Sequence, residues 1–161
     1  MSTPDAQQPE VVFTLEKIYL RDVSYEAPGV PQVFLEQQAP RIDIQLGISH
    51  RPFDAEQGFH EVVLAVTATA RREDKPVFLV EVQQAGVFRI RGLEGEALER
   101  TLEVSCPYAL LPFLRETVAE LVTKGGFPQL LINPINFDAL YAQKRQASEP
   151  PRRQGGGSSE A

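Results

Sequence analysis

Residues 77–91, VFLVEVQQAGVFRIR, keep one alternating phase along their whole length, with Phe78, Val80, Val82, Phe88 and Ile90 on the same side. A period of two is the signature of a strand. Gly86 within the run marks a bend or a close approach of another backbone. At about 3.4 Å per residue the run spans about 50 Å, against a usual strand length of ~17–20 Å. A strand this long either bends sharply or reaches past its own core toward another subunit.

Working outward, REDKP at 72–76 joins this strand to the preceding one as a hairpin. That strand, EVVLAVTATA at 61–70, puts Val62, Leu64 and Val66 on one face. Its other face carries Val63, Ala65, Thr67 and Thr69, small and weakly polar, as if something packs over it. Residues 41–48, RIDIQLGI, alternate cleanly, with Ile42, Ile44, Leu46 and Ile48 against Arg41, Asp43 and Gln45. In VVFTLEKIYL at 11–20, Phe13 and Leu15 lie on one phase and Ile18 and Leu20 on the other, which predicts a bulge near Glu16 or Lys17. Between Leu20 and Arg41 runs RDVSYEAPGVPQVFLEQQAP, too apolar for a free linker and too long for a simple turn. It is expected to drape over the protein and leave grooves beneath it.

From Glu96 to Lys124 the period becomes helical, broken or kinked at Pro107 and Pro112. Leu110, Leu114, Val118, Leu121 and Val122 form an apolar stripe, and Gly125 and Gly126 supply the stop. A short helix follows from Asn136, its candidate N-cap, to about Lys144. Four antiparallel strands, a long kinked helix and a short C-terminal helix make an α+β fold.

The 161 residues suit one domain. Residues 1–10 read as a flexible N-terminus, 11–142 as the domain and 143–161 as a disordered polar tail. Removing the tail's four basic and two acidic residues leaves 12 basic against 20 acidic, a net charge of −8. That balance argues against nucleic acid as partner, because phosphate contacts need clustered Lys and Arg. No apolar run is long enough to span or insert into a membrane, and MSTPDAQQPEVV has neither the basic nor the apolar part of a secretory signal. A single cysteine, Cys106, fits a reducing cytoplasm and reads as a buried, inert thiol.

Catalytic chemistry is not supported. One Cys and two separated histidines do not make a metal site, with His60 read as a surface or strand-end residue. GLEGE at 92–96 lacks the Lys-Ser/Thr of a phosphate loop, and no serine sits in a nucleophile elbow. No cofactor is implied. Glu94, Glu96, Glu99 and Glu103 are expected to be solvated and to favour the helix N-terminus. Asp22, Glu26 and Glu81 stand out, the last within a long apolar strand.

Three segments carry a family resemblance: DVSYEAPGVPQVF (22–34), EVQQAGVFRIRG (81–92) and CPYALLPFLRETVAELVTKGGFPQLLINPINFDALY (106–141). Together they resemble SecB, the bacterial protein-export chaperone family, from about Val12 to Tyr141. The resemblance implies a homotetramer, a dimer of dimers, with the stripe Leu110, Leu114, Val118, Leu121 and Val122 at the interface. It implies an ATP-independent chaperone that holds non-native precursor polypeptides and delivers them to the SecA motor. The client groove is then expected at Val33, Phe34, Ile42, Ile44, Phe137, Leu140 and Tyr141, and the family's acidic motor-binding site maps to Asp22, Glu26, Leu79 and Glu81. Gln38 stands where some members carry Trp, and Val80 where some carry Cys. The tail, with Arg152, Arg153 and GGGSSEA, departs from the family tail that contacts a zinc-bearing segment of SecA. An alternative is a SecB-like tetramer dedicated to one cognate partner, such as an antitoxin.

Overall fold

The computed structural model describes residues 10–148. Four long strands, β1 (Val12–Glu26), β2 (Arg41–Asp54), β3 (Phe59–Arg72) and β4 (Lys75–Arg91), form one antiparallel sheet in the order β1-β4-β3-β2. β4 is paired on both sides, to β1 from Arg91 to Leu79 and to β3 from Arg89 to Lys75. Its length is therefore matched within the chain by β1 and β3. The close approach expected at Gly86 is real: a Cβ there would lie 2.9 Å from the Phe88 ring and 3.0 Å from Leu110.

Two irregularities give β1 its residue pattern. Register shifts fall between Leu15 and Lys17, as the phase change predicts, and again between Leu20 and Asp22. With Glu16 and Arg21 bulged, Phe13, Leu15, Ile18, Leu20, Val23 and Tyr25 all pair with even-numbered residues of β4 and face the helices. The second bulge lets β1 run on to Glu26, so the long connection starts six residues later than the sequence suggests and contains a short 3₁₀ turn at Gln32–Leu35. The β3–β4 hairpin turns on Glu73 and Asp74 alone, both with positive φ (49° and 64°), the geometry that suits the twist of the flanking strands.

The helical region begins with α1 (Gly95–Arg100), passes through one π-helical turn at Thr101–Ser105 and continues as α2 (Cys106–Lys124). The prolines do not break it. Pro107 sits at the junction with the π turn, which the Cys106 N–H spans by donating to the Thr101 carbonyl, and Pro112 is accommodated inside α2. The discontinuity lies upstream, where the π turn buries Leu102, Glu103 and Val104 in succession. Glu103 is thus not a solvated carboxylate: it accepts from His50 Nε2 at 3.1 Å and from Lys144 Nζ at 2.9 Å. His60 lies at the start of β3, as expected, but it is buried there, and burial, with His50 nearby, pulls its pKa down.

Leu110, Leu114, Val118 and Val122 are completely buried against the protomer's own sheet, with Leu121 half-buried. This corrects the expected place of those four at a subunit interface: they are the core of one chain, and of the stripe only Leu121 keeps surface to offer. Gly126, at φ +88°, closes α2, and the Phe127 N–H donates to the Val122 carbonyl at 3.2 Å. The last helix, α3 (Phe137–Ser148), is capped by Asn136, whose Oδ1 accepts from the Ala139 N–H at 3.0 Å. It runs past the boundary at residue 142 expected from composition. Two ion pairs tie the extension to the helical region: Lys144 to Glu103 and Arg145 to Glu96. Residues 1–9 and 149–161, which cover the expected flexible N-terminus and most of the expected tail, lie outside the described residues.

Candidate functional site

α2 packs chiefly over β4 and β3, and the edge strand β2 is covered on that side only in part, by the π turn and by α3 at one end. Its helix-side row is Ile42, Ile44, Leu46 and Ile48. At one end it borders a cavity of 490 Å³ under the 27–40 connection, walled by Phe34, Phe78, Phe127 and Leu130. At the other end it borders a cleft of 150 Å³ against α3, formed by Leu46, Ile48, Leu140 and Tyr141. Both are open to solvent, so the row forms an apolar track with a wider and a narrower end.

The sequence expectations divide along this track. Phe34 (49% exposed), Ile42 (40%) and Leu140 (40%) offer apolar surface to solvent, and Ile44 is half-buried between the two ends. Val33 and Tyr141 are buried but line the cavities with their edges. Phe137 has no exposed surface and packs edge-on to Tyr108, its ring centroid 4.8 Å away. It belongs to the core and is withdrawn from the groove, because as the first residue of α3 it is the side chain that seats the helix.

Phe127 and Phe78 were not anticipated. Phe127 lies between Phe34 (5.2 Å) and Phe78 (5.1 Å), tilted by 42° and 47° to them, so three aromatic rings make one wall. An aromatic residue directly after a helix-stopping Gly pair was the available signal. Gly126 makes the contact possible, since a Cβ there would press on the Phe34 ring at 3.1 Å.

The opposite face of the sheet carries the carboxylates. Glu26 pairs across strands with Leu79, Ser24 with Glu81 and Asp22 with Gln83. Asp22, Glu26, Leu79 and Glu81 therefore share one patch although 53 positions separate Glu26 from Leu79. All three carboxylates are exposed and none has an ion-pair partner among the described residues. Further along the same face Glu61 is buried and saturated: it accepts from the Tyr19 hydroxyl, from Arg21 at 2.6 Å and from Arg51 at 3.2 Å. The Tyr19 hydrogen bond holds the Glu61 carboxyl below its ordinary pKa, while burial and Glu61 together push the phenol to about 12.

Burial pushes the Cys106 thiol to about 12, which removes the thiolate needed for nucleophilic or redox work. Among the described residues no three His, Cys, Asp or Glu side chains come together as a metal site. No helix of the described residues is long and apolar enough to cross a membrane.

Comparison with known proteins meets this geometry. The family described as preprotein translocase subunit SecB matches residues 5–148. The chain is 48% identical over 154 residues to the protein-export protein SecB of Nitrosomonas europaea, covering 92% of this chain and 93% of that protein. It is 50% identical over 141 residues to the protein of the same name from Chromobacterium violaceum, covering 88% and 93%. Its fold is similar to that of a Mycobacterium tuberculosis SecB-like chaperone solved with an antitoxin peptide, with a TM-score of 0.64 at 16% identity over 77% of this chain and 91% of that one. On matches that span nearly its whole length, the chain belongs to the SecB family, whose members are chaperones and not enzymes.

Proposed function

We propose that the chain is an ATP-independent cytoplasmic export chaperone that binds non-native precursor polypeptides, keeps them translocation-competent and delivers them to the SecA motor. The observation that carries this reading is the open apolar track along β2. A pocket shaped for one ligand would be enclosed; a track open along an edge strand suits extended chains of varied sequence. Each large apolar client side chain buried there contributes ~1.5–3 kcal/mol. Repeated contacts along one client, and across subunits, add through effective concentration.

Val33, Phe34, Ile42, Ile44, Leu140 and Tyr141, joined by Phe127, are the proposed client contacts. Asp22, Glu26, Leu79 and Glu81 are the proposed contact with SecA, on the face of the sheet away from the client, so one protomer can hold both partners. The working form is a homotetramer, a dimer of dimers. Supporting this, β1 is an edge strand whose helix-side residues Phe13 (43%), Leu15 (42%) and Leu20 (49%) remain exposed. An uncovered edge with an apolar face is what a second copy can pair with and bury.

Native mass measurement should give four chains, and the protein should slow refolding of a denatured client with no nucleotide present. A monomer without effect on refolding would refute the proposal. The second reading, a tetramer dedicated to one cognate partner such as an antitoxin, expects one sequence to outcompete all unrelated clients. High identity to relatives named for protein export favours the first.

A further inference from the structure

Asp22, Ser24 and Glu26 follow Leu20 at even positions, so in an unbroken strand they would share its face and point at the helices. They do not, because Arg21 is left out of the register between Leu20, opposite Gln84, and Asp22, opposite Gln83. The extra residue reverses the phase: Val23 and Tyr25 turn inward and the carboxylates turn outward, beside Leu79 and Glu81. A bulge breaks the ladder locally, and its backbone groups need other partners. This one is held from both faces of the sheet. On the helix side Gln84, only 3% exposed, donates from Nε2 to the Tyr19 carbonyl at 3.1 Å. On the outer face the bulged residue itself, Arg21, donates to Glu61 Oε1 at 2.6 Å, and Tyr19 donates its hydroxyl to the same carboxylate. Glu61 is on β3, with β4 between it and β1, so the hold reaches across three strands.

We propose that Arg21, Glu61 and Gln84 are positioning residues for the motor contact: they fix the bulge whose phase reversal presents Asp22 and Glu26 to SecA. The inference rests on the reading of Asp22, Glu26, Leu79 and Glu81 as that contact, and adds the device that assembles it. Leu79 and Glu81 lie on β4, which is paired on both sides and needs no such help. Asp22 and Glu26 lie beyond the bulge on the edge strand β1, which is paired on one side only. Charge alone predicts the opposite role for Arg21. A cation beside an acidic patch weakens its field, so removing it would strengthen attraction for a basic partner surface. Positioning predicts weaker binding instead, and the two readings differ in sign.

The test uses the full chain, with SecA affinity and client holding measured on the same samples and hydrogen exchange read along β1. Arg21→Met should weaken SecA binding about five- to tenfold, the scale of two or three exposed ion pairs. It should leave client holding within about twofold and speed exchange of the amides at 22–26 more than of those at 12–20. Arg21→Lys, which keeps a donor for Glu61, should return SecA affinity to within about threefold of the original. In a protein carrying Asp22→Ala and Glu26→Ala, Arg21→Met should add less than about twofold, because nothing is left to position. Unchanged or tighter SecA binding by Arg21→Met would overturn the proposal. So would a full loss that persists in the Asp22→Ala, Glu26→Ala protein, since Arg21 would then touch SecA itself. If circular dichroism shows that Arg21→Met is unfolded, Gln84→Met takes its place, and unchanged SecA binding by that variant overturns the proposal. A failure of the patch reading looks different: Asp22→Ala with Glu26→Ala would leave SecA binding intact while Arg21 is still in place, and this proposal would fall with it.

Discussion

The phenol of Tyr25 on β1 rests directly on the backbone of Gly125 at the end of α2, so closely that a Cβ on Gly125 would overlap the Tyr25 hydroxyl. Gly125 has φ −73°, an ordinary helical value, so its backbone does not demand glycine. Space does. Gly125→Ala should therefore destabilise the protein by about 1–3 kcal/mol through overpacking, read as a lower urea midpoint at unchanged slope. Tyr25→Phe should be neutral or slightly stabilising, because the Tyr25 hydroxyl is buried without a partner. A neutral Gly125→Ala would show that the two elements can move apart freely.

Glu61 sets a pH dependence with a definite sign. Its folded pKa lies below the ordinary 4.5, first through the Tyr19 hydrogen bond and then through Arg51 and Arg21, against the opposing effect of burial. Depressed carboxylates stabilise the fold fully above the unfolded pKa and lose that contribution as pH falls through the folded value. Stability should thus drop on acidification below pH 4.5. Glu61→Gln should flatten that part of the profile and cost about 1–3 kcal/mol at neutral pH, because two arginines lose their shared acceptor. Denaturant melts at a series of pH values check this; an identical acid profile in the variant would exclude Glu61 as its source.

Phe34 and Phe137 should separate binding from folding. Phe34→Ala removes a half-exposed ring from the groove wall and should weaken client holding several-fold with less than about 1 kcal/mol lost in stability. Phe137→Ala empties a fully buried site and should cost about 3–5 kcal/mol. Refolding retardation and urea melts on the same samples distinguish them. Equal effects on both readouts would dissolve the division between wall and core.

Glu26→Ala combined with Glu81→Ala should weaken SecA binding and steepen no other defect, because both side chains are exposed on the face opposite the groove. The interaction should also weaken as salt rises, as expected for exposed charges. Surface plasmon resonance against SecA and a parallel client-holding assay measure the two activities. Loss of client holding to the same degree would mean that the faces are not independent.

Period and punctuation in the sequence determined the element types, the bulge beside Glu16, the hairpin at 72–76, the Gly pair that ends α2 and the Asn136 cap. These are local properties: each rests on residues within a turn or two of one another, and the family motifs add the identity of the fold. The second bulge at Arg21 was hidden because Asp22, Val23 and Ser24 read equally well as a polar connection, and only pairing with Val82 and Gln83 makes them strand. The π turn was hidden for the same reason, since nothing in TLEVS distinguishes it from α-helix until tertiary packing buries three successive residues. Tertiary structure alone decided that the α2 stripe is covered by its own sheet and that Phe137 is core while Phe127 is wall; for Asp22, Glu26 and Glu81 it added the cross-strand pairing that puts the motif-matched carboxylates on one face. An apolar periodicity states that a face will be buried but not by what. The occupant depends on which surfaces the folded chain leaves uncovered, and here those are the row on β2 and the outer edge of β1.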